Sequence, residues 1–245
     1  MATVTIKTEK SRSKENMINR KESNHGVSLQ DIILRQKSAI LNTMRRPIHC
    51  PNTECNKLIA MTQLVTHYIF EHARIPRDFL ELNEPHTLGV SLNSMEIGKA
   101  HCIALLLIQA EKIESQQPND DCIAFSLMAA KLRCSTLSKN ENEKELDKSK
   151  SNEYGDQPEY HADFVMFWMC GNVDENFKCL IEISDDSKFI TYSRYGPINS
   201  FRDDNDPVQV FRKGNYLIVP ASNVNIITRN GLYPIVLKVI VTFPS

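Results

Sequence analysis

Cys50, Cys55, His67 and His72 stand in the order Cys-x4-Cys-x11-His-x4-His. Two thiolates in a tight turn and two imidazoles on a following helix form the donor set of a tetrahedral zinc ion, and few other needs explain all four at this spacing. Four protein donors fill the coordination sphere. No position is left for a reactive water, so the expected metal is one structural zinc ion holding a small module together. Any one of these residues alone reads as a buried thiol or a core imidazole. Their order, Pro51 in the turn and the apolar Leu64, Val65 and Ile69 between the ligands make the metal the stronger reading. The spacing predicts His67 and His72 on one face of a helix. Ile59 and Leu64 are its expected miniature core, too small to stand without metal.

Other constellations are weaker. The chain has no glycine-rich phosphate loop, no Gly-x-Ser-x-Gly and no second metal cluster, so no catalytic residues are assigned and an enzyme is not expected. Asp203-Asp204-Asn205-Asp206 lacks the following glycine and distal glutamate of a calcium loop, and reads as a solvated loop. Trp168, with Phe164 and Phe167 nearby, reads as core and not as a stacking platform for bases. Tyr192, Arg194 and Tyr195 interleave aromatic and basic groups, but one arginine is thin support for a nucleic-acid surface. A DNA-reading finger has twelve residues between the second cysteine and the first histidine and a basic helix; here there are eleven, and Lys57 and Arg74 are balanced by Glu54 and Glu71.

The elements that must position the ligands follow from composition and periodicity. The 245 residues, 41% hydrophobic and 24% charged with net charge −1, fit a soluble globular chain with one core plus a satellite, and give no global attraction to nucleic acid or an anionic membrane. Basic residues are concentrated in 1–46, and 1–27 is expected to be a disordered basic tail. Over 28–46, Leu29, Ile32, Ile33, Ile40 and Leu41 predict an amphipathic helix capped by Ser28. The zinc finger is placed at 47–76. Seven cysteines and no apolar leader point to cytoplasm or nucleus, with Cys102, Cys122, Cys134, Cys170 and Cys179 as free thiols. No apolar run is long enough to span a membrane.

Beyond Pro76 the chain reads as mainly β. Gly98–Gln109 is read as a strand, Cys122–Cys134 is left open between strand and helix, and a flexible insertion is expected around 135–160. Phe164–Cys170, Lys178–Ile183, Phe189–Tyr195, Tyr216–Pro220 and Tyr233–Phe243 are rich in β-branched and aromatic residues and bounded by turn signals. They predict an antiparallel β-sandwich over 77–245.

The order of parts resembles the substrate-binding region of the seven-in-absentia (SIAH) family over about residues 48–245. The finger spacing on Cys50, Cys55, His67 and His72 is similar to that family's second finger. Phe164–Gly171, Glu175–Ile183, Asn215–Pro220 and Val239–Val241 look like its sandwich strands. The resemblance implies a TRAF-like β-sandwich that captures an extended peptide at a sheet edge. It also implies homodimerisation, or pairing with a RING-bearing relative. The RING domain and the first finger have no counterpart here, since no cysteine precedes Cys50 and only His25 precedes His49. The expected function is therefore a non-catalytic protein-interaction module: adaptor, substrate receptor or competitor in ubiquitin-ligase pathways. The alternatives are a nucleic-acid-associated regulator using finger and tail, and a ubiquitin-ligase component acting with a RING-bearing partner.

Overall fold

The computed structural model describes residues 47–52, 54–109, 122–137, 162–173, 177–185, 187–203 and 205–243. The expected tail over 1–27, the expected helix over 28–46 and most of the expected insertion over 135–160 lie outside these residues.

The chain is mainly β. Strands β1 (Ile48–His49) and β2 (Leu58–Ile59) form a small antiparallel hairpin, followed by a 3-10 turn over Met61–Gln63 and helix α1 (Leu64–Glu71). Two sheets come next. The six-stranded one contains β3 (Arg77–Phe79), β5 (Ala100–Gln109), β6 (Cys122–Leu132), β7 (Phe164–Gly171), β10 (Asn199–Ser200) and β11 (Leu217–Pro220). Its order is β10-β7-β6-β5-β3, with β11 also on β7. The four-stranded sheet, in the order β4-β12-β8-β9, contains β4 (His86–Val90), β8 (Lys178–Ser184), β9 (Thr191–Pro197) and β12 (Ile235–Thr242). Three short helices, α2 (Cys134–Leu137), α3 (Pro207–Lys213) and α4 (Ala221–Ile227), complete the described elements.

The sheets face each other across one core. Ile103, Leu106, Phe125, Leu127, Val165 and Phe167 of the larger sheet share an apolar cluster with Cys179, Ile181, Ile183, Leu237, Val239 and Val241 of the smaller. The two sheets differ in their second faces. β8 and β12 alternate buried and less buried positions, as expected for a sheet with one face toward solvent. β7 is buried at all eight positions. Phe164, Met166, Trp168 and Cys170 belong to a second cluster on the outer face, together with Cys102, Leu105, Met128 and Phe201, Val210 of α3, and Ile48, Ile59, Leu64 and Tyr68 of the Cys/His module. The module therefore covers the outer face of the larger sheet. That is why β7 reads as an unbroken apolar run and β5 and β6 as runs interrupted only by His101, Ser126 and Lys131 between their ends.

Several expectations change. Cys122–Leu132 is a strand, paired with both β5 and β7. The Ala-rich run tolerates this because close-packed strands buried on both faces need small side chains as much as β-branched ones. In β5 the register to β6 shifts between Cys102 and Ala104. Ile103 and Ala104 both join the inner cluster there, as an inserted bulge residue requires. The sheets are not wholly antiparallel: β3 runs parallel to β5 and β10 parallel to β7, both as short segments reached by returning chain and not by a tight hairpin. Helix α3 was not foreseen. Asp206, read as part of a solvated loop, is its N-cap, accepting from the Val208 and Gln209 N–H groups at 3.1 and 3.2 Å. Pro207 opens the helix, and Gly214 closes it at φ +78°. Asp78 Oδ2 on β3 lies 3.2 Å from His86 Nε2 on β4, so the two sheets approach each other at one rim.

Among the described residues no helix is long and apolar enough to cross a membrane.

Candidate metal centre

Helix α1 has eight residues and no side-chain N-cap, too little to hold itself in water. Contacts made by its side chains must therefore fix it. Leu64 and Tyr68, one turn apart, are its buried positions. Tyr68 is fully buried in the outer-face cluster, whereas Ile69, expected on the apolar face, is 39% exposed. In the sequence Tyr68 sits between the two ligand histidines and carries no metal-binding signal of its own; its spacing of four from Leu64 is what marks it as a core position.

The hairpin is pinned by the Cys50 N–H donating to the Lys57 carbonyl at 2.9 Å, and the intervening turn by the Cys55 N–H donating to the Asn52 carbonyl at 2.8 Å. These bonds bring the two thiols together at the end of α1. Lys57 and Glu71 form a 2.8 Å pair across hairpin and helix, exposed and therefore of small energetic weight.

His67 lies within α1, but His72 does not. Positions five apart on an α-helix differ by about 140° in direction, so a continuing helix would aim the two rings apart. The helix ends at Glu71, and His72 takes up φ −127°, ψ 42° as its C-cap, its N–H still donating to the Tyr68 carbonyl at 3.2 Å. This break turns the second ring back, and the two Nε2 atoms approach to 3.1 Å. The one-face expectation for His67 and His72 is thus corrected: it is the end of the helix, not its continuation, that joins them.

The four ligand atoms of Cys50, Cys55, His67 and His72 all lie within 4.8 Å of one another. Cys50 Sγ is 3.2 Å from His72 Nε2, and Cys55 Sγ is 3.6 Å from His67 Nε2. A tetrahedron with metal–nitrogen bonds of about 2.0–2.1 Å and metal–sulfur bonds of about 2.3 Å has edges of roughly 3.3–3.6 Å between these atom types. The three edges match it closely enough for one ion to bind all four.

The electrostatics also suit a cation. Burial pushes the Cys50 thiol up to about 12, and the neighbouring Cys55 adds to the rise; a dication among the donors acts in the opposite sense and holds the thiolate. Burial holds both imidazoles below the ordinary histidine value, leaving them neutral at pH 7, the form that ligates. Beyond the four donors, the Asn52 side-chain amide lies 3.3 Å from His72 Nδ1. The atom placed there is the amide nitrogen Nδ2, which donates to Nδ1; with Nε2 on a metal ion Nδ1 would carry the proton, and the amide would have to present its oxygen to accept it.

The remaining candidates do not form a site. Tyr192 and Arg194 pair with the core-facing Ile183 and Ile181, so they point inward, and Arg194 donates to Asn215 Oδ1 at 2.8 Å. Tyr195 lies on the opposite face and bonds Thr242 at 3.0 Å. The three are therefore not one basic-aromatic patch. Trp168 is fully buried. Cys102, Cys134, Cys170 and Cys179 are free thiols; the side chain of Cys122 lies outside what is described.

No curated protein matches the chain. One family profile does, and it runs from His49, immediately before the first ligand, through the Cys/His module and into both sheets as far as Asn230. That span is well over half of the sequence, and the chain belongs to the family described as Domain of unknown function (DUF4729).

Proposed function

We propose that the protein is a non-catalytic interaction module in which one structural zinc ion clamps a small finger onto a TRAF-like sandwich, in the manner of the SIAH substrate-binding region. Zinc is the ion of choice because two thiolates and two neutral imidazoles in a tetrahedron suit it, and a filled coordination sphere suits a structural role. The observation that carries the reading is the gathering of all four donors on a module whose inner face is already used up against the larger sheet. A finger packed in this way supports a body, and the face its helix leaves exposed carries Ile69 and Phe70 in place of the basic side chains a DNA groove needs.

The partner is a protein segment in extended form, taken up along a sheet edge by main-chain hydrogen bonds. β4 is a terminal strand of its sheet, pairing with β12, and its Thr87 and Gly89 are exposed. On the opposite rim, the inward-pointing Arg194 of β9 is of the kind that discourages strand addition. The module thus serves as adaptor, substrate receptor or competitor in ubiquitin-ligase pathways, by itself or paired with a RING-bearing relative. The test is selection of displayed peptides on the zinc-loaded chain, followed by hydrogen exchange with the best peptide bound. Slowed exchange across 86–90 is expected. Failure to enrich any peptide, together with salt-steep binding of nucleic acid, would replace this reading with the nucleic-acid one.

A further inference from the structure

At one end of the space between the sheets, away from the Cys/His module, a cleft of about 310 Å³ opens between β6, β7 and α4. Met95, Ile97, Val165 and Val224 form its apolar wall, and Lys131 and Asn225 supply its polar groups. Met95, Val165 and Val224 are buried members of the inter-sheet core, so the cleft reaches into that core and is not a surface dimple.

The placement of Lys131 is unusual. It pairs with the core-facing Val165, so its side chain leaves β6 on the inner face of the sheet. The backbone around it is fixed by the Gly98 N–H donating to the Lys131 carbonyl at 2.8 Å and by the bridge to Ile97. Lys131 is the one charged residue lining the cleft, and no carboxylate pairs with it among the described residues. The acidic residues adjoining the lining along the chain are engaged elsewhere. Glu96 pairs with Lys99 at 2.5 Å, and Asp163 accepts from the Cys134 N–H at 2.6 Å.

We infer that this cleft is a binding site for an aliphatic carboxylate, whose carbon chain enters the apolar wall while its charge meets the Lys131 ammonium beside the Asn225 amide. The desolvation that lowers the amine from its ordinary lysine value, with no charged group offsetting it, is what an incoming carboxylate relieves. The volume lies at the small end of ligand pockets, suited to a chain of a few carbons and not to a large cofactor. The site is independent of the metal centre, and it stands or falls apart from the edge-binding reading.

The carboxylate has two sources of the same chemistry, a free short-chain acid or the C-terminus of a peptide ending in an aliphatic residue. Isothermal titration of the full metal-loaded chain at fixed salt distinguishes them, with hexanoate, 1-hexanol, acetyl-Ala-Leu and its amide as probes. Hexanoate is expected to bind at least tenfold more tightly than hexanol, and Lys131→Met, which keeps the stem and removes the charge, to lose at least tenfold in hexanoate affinity. Lys131→Arg should retain most of it. Tighter binding of acetyl-Ala-Leu than of hexanoate, lost on amidation, assigns the carboxylate to a chain end; the reverse order assigns it to a free acid. Methyl resonances of Val165 and Val224 in the unmutated protein give a readout that does not depend on any variant folding. Equal affinity for acid and alcohol, undiminished binding by a folded Lys131→Met, or unmoved methyl resonances at saturating hexanoate would overturn the inference.

Discussion

Tyr68 is the residue on which the union of module and sheet can be tested. It projects from α1 into the outer face of the larger sheet and is fully buried there. A tyrosine side chain buried to that degree removes roughly 150–200 Å² from water, worth about 4–5 kcal/mol at ~25 cal/mol per Å². Truncation of a buried aromatic to alanine costs about 3–5 kcal/mol in practice. For a chain of this size that corresponds to a fall in melting temperature on the order of 10 °C. The hydroxyl contributes little to this sum. It lies beside the Cys102 thiol and the Ser126 hydroxyl without a hydrogen bond of regular geometry, so removing it relieves a buried polar group. Tyr68→Ala is therefore expected to lose about 3–5 kcal/mol, and Tyr68→Phe to stay within about 1 kcal/mol of the parent or to gain. Trp168 reports on both, being the one tryptophan of the chain, fully buried and in the same cluster. Its emission, followed through urea and heat, should show a single transition that moves with Tyr68→Ala. A loss below 1 kcal/mol, or Trp168 holding the parent midpoint, would mean that the module rests on the sheet without supporting it. A loss above 2 kcal/mol in Tyr68→Phe would mean that the hydroxyl, not the ring, does the anchoring.

Three further outcomes follow. Purified protein should carry one zinc ion per chain by elemental analysis, and Cys55→Ser should lose both the zinc and thermal stability; under half an ion per chain with an unchanged melting curve would refute the metal assignment. Gly171→Ala should cost about 1–3 kcal/mol in urea unfolding by overpacking, since its Cβ would meet the buried Phe125 ring at 2.9 Å and Ile198 at 3.3 Å; a neutral result would show that Phe125 has room to move. The Cys179 thiol is pushed up from 9.0 to about 12 by burial, with Arg194 offsetting part of the rise. A folded value above the unfolded one gives stability that is whole below pH 9 and lost as pH rises toward 12, by up to about 1.4 kcal/mol per pH unit. Cys179→Val should therefore lose less stability than the parent between pH 9 and 11, and equal losses would count against a buried neutral thiol.

The ligand set was legible in the sequence because coordination chemistry constrains residue type and spacing more tightly than folding does. The four donors that stand apart in the chain come within 4.8 Å. What spacing could not convey is how the last of them arrives, because a C-cap conformation at His72 depends on where α1 stops, and Ala73 and Arg74 carry no strong stop signal. In the smaller sheet β8 and β12 were readable from their β-branched and aromatic content between turn signals, within a residue or two of Lys178–Ile183 and Tyr233–Phe243, whereas β4 over His86–Val90 was not. β6 was not readable, since a strand covered on both faces has no polar side to set a period of two, and its alanines mimic a helix. α3 is a different case. Asp206, Pro207 and Gly214 are a complete set of helix signals, obscured by reading the acidic run as a loop.

The difference between the two sheets bears on where a partner can bind. A sheet apolar on both faces cannot be left half-open: Leu105, Met128, Phe164, Met166 and Trp168 would present a contiguous apolar surface if the module let go. Ile48, Ile59, Leu64 and Tyr68 are committed to covering it, so the module's inner side is closed to any partner. The smaller sheet needs no cover, because its outward positions include Glu182 and Lys238, which pair across the strands at 3.4 Å. Its outer face is mixed, with Leu180, Val236, Ile240 and Tyr195 beside that pair, and it stands in solvent without a covering module. What remains unpaired by construction is backbone at the sheet rims. Backbone groups are thus left to pair at the rims of the sheets, while Ile48, Ile59, Leu64 and Tyr68 of the Cys/His module keep the two-sided sheet covered.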